Sequence, residues 1–335
     1  MSALTTILRK GRGTERVLAP PLGGQEAVLI GVIAALWIAL SLTTPAFMTA
    51  DSIRPLLAAV APIAIIGVGM TFVIVAAGID ISVAGAVMVC SVVVAKLLVT
   101  AHIPLVVALL TGLAIGSVLG AVNGVLVAYG RVHPIIITFG TANLFQFIGY
   151  QIFGSQTVNG IPGTLSPFGQ SAAGATLGVP NAFLLTVVVA AAAWWYMRYT
   201  VGGRHYYAIG GDAAAARLAG VKVSRRALIA YLLTGALAGV AAIFVVASGT
   251  STLDQSVGHG MELQAIAATV IGGTSITGGR GSVLGTVLGA ILVQTVTSGV
   301  TQLSWPSQLS NLFVGVFVII AVGADRIREH RRQRS

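Results

Sequence analysis

Few side chains in this sequence are placed to do covalent chemistry. The five histidines, His102, His133, His205, His259 and His330, form no HExxH pair and keep no spacing that suggests metal ligands, so no metal site is expected. The nearest approach to a phosphate-binding loop runs from Gly273 through Thr274 and Ser275 to Gly278, Gly279 and Arg280. It lacks the lysine followed by serine or threonine that grips phosphate and magnesium, and it lies between apolar runs. There is no GxSxG elbow in a strand-turn-helix context and no paired carboxylates in a soluble cleft. The chain reads as no enzyme, and if it does driven work the motor lies elsewhere.

Polar residues set among apolar ones carry more information. Asp80 is the one acidic residue flanked on both sides by long apolar runs, and a charge buried in hydrocarbon is expensive. Two roles fit: a pathway or gating residue, or, together with Ser82, a cap on the helix that follows. Asn123, Asn143 and Gln146 either line a polar path or hydrogen-bond between helices, and the hydroxyls of Thr274 and Ser275 are further candidates for the path.

The elements that must hold these residues follow from composition. With 56% hydrophobic and 8% charged residues and a mean hydropathy of +0.94, the 335-residue chain is a polytopic membrane protein of the all-α class. Its net charge of +10 gathers in the tails and two loops, so it reports orientation in a membrane and gives no reason to expect nucleic acid. The single cysteine, Cys90, allows no intramolecular disulfide. After a polar, basic segment over residues 1–26, apolar runs at 27–43, 54–77, 82–100, 104–129, 134–153, 181–197, 227–249, 261–276, 281–303 and 308–324 suggest ten crossings within a permease domain over 27–325. A basic tail over 326–335 follows. Of the 19 basic residues only Arg54 and Lys96 then fall outside, Arg131 and Arg280 among those inside, which places both termini in the cytoplasm. The run at 261–276 is short and glycine-interrupted; a re-entrant segment there is the alternative.

The longest polar interruption, Arg198 to Arg226, should therefore face the cytoplasm. Within it Asp212 can cap a short helix over Ala213–Ala219, with Gly220 as its left-handed stop. Two turns alone in water are marginal, so the helix either docks on a partner or serves as a connector against its own membrane domain. Glycines recur every four residues at Gly112, Gly116, Gly120 and Gly124, and again at Gly281, Gly285 and Gly289. Such ridges let helix backbones approach closely in lipid. The two ridged runs stand five apart in a count of ten, a spacing that fits two inverted halves of five helices.

Three segments, GIDIS with the helix after it, GGRHYYAIGGDAAAARLAGV, and GMELQAIAATVIGGTSITGGRGSVLGTVLGAIL, closely resemble the inner-membrane permeases of ribose-type ABC importers, over about residues 45–323. Ala84 departs from the family pattern, which usually has glycine there. The resemblance implies a fold similar to the cobalamin-type (type II) importers, a second permease copy, a periplasmic or extracellular binding protein that delivers a sugar, and a separate ATPase carrying ATP and magnesium. It matches Gly211, Asp212, Ala213, Ala214, Arg217 and Gly220, with Ala215 between them, to the segment that contacts the ATPase. It implies the bacterial inner membrane as location and no cofactor on this chain. A branched-chain amino-acid permease of the same superfamily is the nearer alternative, and GIDIS leans against it. An ion-coupled secondary transporter would need several ionisable groups near the midplane, where only Asp80 qualifies.

Overall fold

A computed structural model describes residues 24–130, 132–154, 156–248 and 251–333. Most of the basic N-terminal segment, Arg131 and the last two residues of the C-terminal tail lie outside these. Each apolar run becomes a helix: α1 (Gly24–Thr43), α2 (Ala50–Val75), α3 (Val83–Ala101), α4 (Leu105–Gly130), α5 (Pro134–Phe153), α6 (Asn181–Tyr199), α9 (Val223–Val246), α10 (Met261–Ile271), α11 (Val283–Gln302) and α12 (Gln308–Gln333). Among the described residues eight helices are long and apolar enough to cross a bilayer. The polar interruption adds two more, α7 (Val201–Gly211) and α8 (Ala213–Leu218).

The bundle is built around α2. Its apolar stretch is buried almost throughout, and it packs against α9, α11, α10 and α6. The face opposite α7 and α8 is closed by irregular chain, where Val158–Asn159 pairs antiparallel with Thr252–Leu253. There the ammonium of Lys96 donates to the carbonyls of Ile152 and Phe153, satisfying groups that the end of α5 would leave unpaired.

Between lipid-embedded helices the hydrophobic effect offers little drive, so association depends on close packing. The seam of α4 and α9 shows how: a Cβ at Gly112 or Gly116 would overlap the carbonyl of Gly239 or Gly235, and one at Gly120 the carbonyl of Tyr231. Gly235 and Gly239 complete the seam from the α9 side. On α11, Gly285 and Gly289 meet the carbonyls of Gly272 and Ala268 at the end of α10. Gly281 precedes α11 and packs on Val75 and Thr274 instead. The two glycine ridges thus have different partners and do not touch each other.

The short run is where helix length and apolar length part company. At 1.5 Å per residue the 11 residues of α10 reach about 16 Å, roughly half of a 30 Å hydrocarbon layer. A methyl group has no room along the α4/α9 seam, so Gly116→Ala is expected to cost about 1–3 kcal/mol by overpacking. Gly31→Ala, at a position with nothing within 4 Å, should be neutral. Thermal unfolding of the purified variants checks this, and equal melting temperatures would contradict the seam.

Candidate functional site

The segment from Thr200 to Val223 folds as a platform on one face of the bundle. Thr200 opens α7, its hydroxyl accepting from the Gly203 N–H at 3.0 Å, and Gly203 lies so close to Tyr196 and Met197 that a side chain would overlap them. Tyr206 is buried edge-on to Phe72 of α2 with ring centres 5.3 Å apart, and burial pushes its phenol up to about 12. Asp212 is extended, and its Oδ1 accepts from the N–H groups of Ala214 at 2.8 Å and Ala215 at 3.0 Å, capping α8. The helix stops one residue short of the expected end. Gly220, at φ 82°, lets its own N–H reach Arg217 O and the Val221 N–H reach Ala216 O.

Those turns bury Ala216 with Ile209 and Val221 in a small core of their own. Ala213, Ala214, Ala215 and Arg217 face away from the bundle. So does Leu218, 92% exposed, an apolar residue that sequence reasoning passed over.

Beneath the platform three distant segments meet. A Cβ at Gly210 would overlap Val75 O, at the end of α2, and Gly279 N, in the connection from α10 to α11. The Gly279 N–H donates to Val75 O at 2.9 Å, and the Tyr207 hydroxyl donates to Gly281 O at 3.1 Å. Gly278 and Gly279 both have positive φ, a conformation that glycine adopts without strain. Thr274 and Ser275 are buried in this same connection, where the Ser275 hydroxyl lies 3.0 Å from that of Thr277.

The α2–α3 connection holds Asp80, 1% exposed. Its Oδ1 accepts from Ser82 N at 2.9 Å and Ser82 Oγ at 2.7 Å, and the Asn123 amide on α4 donates to that same Ser82 hydroxyl at 2.5 Å. Asp80 therefore orders the residue before α3, whereas Ser82 makes no capping bond of its own. Tyr231 and Thr138 donate to Ile79 O, tying the connection to α9 and α5. Asn143 is exposed on α5 and donates only along its own helix, to Phe139 O at 2.8 Å. Gln146, one turn on, lines a cavity against α3. Among the described residues no three His, Cys, Asp or Glu side chains gather as metal ligands would.

Bilayer-length apolar helices, few buried charges and a polar platform braced against the central helix define a polytopic membrane protein of the permease class. Residues 52–322 match the family described as branched-chain amino acid transport system / permease component, and the chain belongs to that family. It is similar to the ribose import permease RbsC of Escherichia coli K12, with 35% identity over 303 residues, 90% of this chain and 92% of the relative. The RbsC of Bacillus subtilis 168 is 35% identical over 86% of this chain and 89% of its own length. The D-allose transport system permease AlsC of Escherichia coli K12 is 31% identical over 86% and 87%. No solved structure matches the chain.

Asp80→Asn keeps the size of the side chain and an acceptor for Ser82, so the purified variant should melt close to the wild-type temperature, and a large fall would show that the charge itself holds the connection.

Proposed function

We propose that this chain is the membrane-spanning permease subunit of an ABC importer for a ribose-type monosaccharide, handed over by a binding protein and driven by ATP hydrolysis on a separate ATPase. The observation that carries this is the joint one: near-full-length similarity to ribose and allose import permeases, together with a capped, outward-facing helix braced on the central crossing. The face bearing α8 is then cytoplasmic, as are both termini, and a second permease copy completes the translocation path.

In this reading α8 is the docking element. Its small residues Ala213, Ala214 and Ala215 let a partner surface come close, Arg217 offers a charge and Leu218 an apolar anchor. Gly211, Asp212 and Gly220 fix where the helix starts and stops. A displacement of α8 passes through α7 to Val75, because the contact at Gly210 and Gly279 is backbone against backbone with no side chain between to give way. The Asp80, Ser82 and Asn123 network sits a few residues beyond Val75, where a gate would respond to that movement. Thr274 and Ser275 lie in the α10–α11 connection of the same junction. Asn143 and Gln146 face the path.

Replacing Ala215 by Trp should block docking sterically, and Arg217→Glu and Leu218→Asp should weaken it by charge reversal and by loss of the apolar anchor. Asp212→Ala removes a cap worth about 0.5–2 kcal/mol from a helix too short to survive without it. All four variants should insert normally, lose copurifying ATPase and lose ATP-driven monosaccharide uptake in reconstituted vesicles. A cysteine at Gly211, in a Cys90→Ser background, should label only from the ATPase side. If the variants keep the ATPase and transport normally, or if a proton or sodium gradient alone drives accumulation, the proposal fails.

A further inference from the structure

The chain between the α9 side and α10 does not stay at the membrane surface. Leaving Thr252–Leu253 on the face opposite α8, it turns through residues 254–260 and reaches α3, where a Cβ at Gly258 would lie 2.7 Å from the carbonyl oxygen of Ala84. Ala84 belongs to the first turn of α3, and the next residue, Gly85, packs against Ala142 and Phe145 of α5. Those residues stand roughly 12–17 Å along a helix about 30 Å long, so the turn lies near mid-membrane depth. Non-helical backbone is tolerated at that depth only where protein buries it or where it lines a water-filled space.

Such a space is present. A cavity of about 380 Å³ lies between α3, α5 and this turn, with Gln146, Tyr150, Gln255, Ser256 and His259 on its polar side and Met88 on its apolar side. The volume falls within the range of about 300–1,000 Å³ typical of small-molecule sites. The lining holds two amides, two hydroxyls and an imidazole, and no carboxylate, lysine or arginine. Among the described residues the side chains of Gln146, Tyr150, Gln255 and His259 make no hydrogen bond to the protein, while Ser256 Oγ donates to Asp254 at 2.5 Å. Polar groups at this depth without protein partners must be met by water or by a solute.

We propose that this cavity is a transient binding subsite for a neutral polyhydroxylated solute, a pentose or hexose, halfway along the import path. The chemistry selects that class. Amides, hydroxyls and an imidazole both donate and accept, as sugar hydroxyls do, while the Tyr150 ring and Met88 suit the C–H face of a pyranose or furanose. The missing charges disfavour amino acids and phosphorylated sugars, whose ionised groups would be left unpaired. The subsite rests on the importer reading of the preceding section and adds a place for the cargo to pause.

The test uses the assembled transporter, permease with its ATPase and binding protein, in vesicles, with uptake measured for a panel of pentoses and hexoses including D-ribose and D-allose. Gln146→Leu, Tyr150→Phe and His259→Ala change polar groups at exposed or half-buried positions. Each is expected to lower uptake about three- to tenfold, the worth of one or two neutral hydrogen bonds, and to change the ratio of uptake among sugars. ATPase copurification should stay at the wild-type level. Gln255→Cys in the Cys90→Ser background should react with a membrane-impermeant maleimide from the face opposite α8, and more slowly when a transported sugar is present. If the wild type carries sugars while all three variants keep its rate and ratios, or if the Gln255→Cys thiol is never reached, the subsite is wrong and the importer reading stands. If the wild-type assembly carries no monosaccharide of the panel, the importer reading fails and the subsite with it.

Discussion

The structure depends on backbone meeting backbone without side chains between. In lipid, helices gain little from burying apolar surface against one another, so what holds them in one arrangement is how closely their main chains approach. Glycine sets that distance along α4 and α9, at the end of α10 against α11, and where Gly210 of α7 meets Val75 and Gly279. The third contact differs from the first two because it joins the membrane bundle to the polar platform. No side chain there separates α7 from the end of α2 and the α10–α11 connection, so the three pack main chain on main chain.

In the proposed mechanism the segment from Val75 to Met88 links docking to the cargo. At one end Val75 O receives the platform through Gly279. In its middle Asp80, Ser82 and Asn123 form a buried network, and at its far end Ala84 and Met88 wall the mid-membrane cavity. In the proposed importer, docking at α8 and occupancy of the cavity would thus bear on the same fourteen residues. There Leu218 at one extreme would meet the ATPase and Gln146 at the other the solute.

What could be read from the sequence was local. Apolar runs locate the helices to within a few residues because length and hydropathy are properties of the segment itself. The cap at Asp212 and the stop at Gly220 were legible for the same reason. The run at 261–276 reads identically whether it crosses fully or begins halfway; the turn before it packs through Gly258 on Ala84 of α3, a contact that no local pattern announces. Thr200 and α7 lie inside the polar interruption, where a threonine before a glycine pair is the local signal of a helix start. The α9 side of the seam is carried by Gly235 and Gly239, a pair at a spacing that a chain with 42 glycines also produces by chance. Asp80 had two readings in the sequence, and the contact from Asn123, 43 residues away, joins it to a network that no local pattern announces.

The central claim is that the glycine junction transmits what α8 receives. It is tested most directly by Gly210→Ala in the assembled transporter, with Gly31→Ala as control, measuring ATPase copurification and sugar uptake at matched permease levels. The cap on α8 is local and survives, so the account predicts that Gly210→Ala still binds the ATPase while uptake collapses, and that Gly31→Ala keeps both. Wild-type uptake by Gly210→Ala would contradict it.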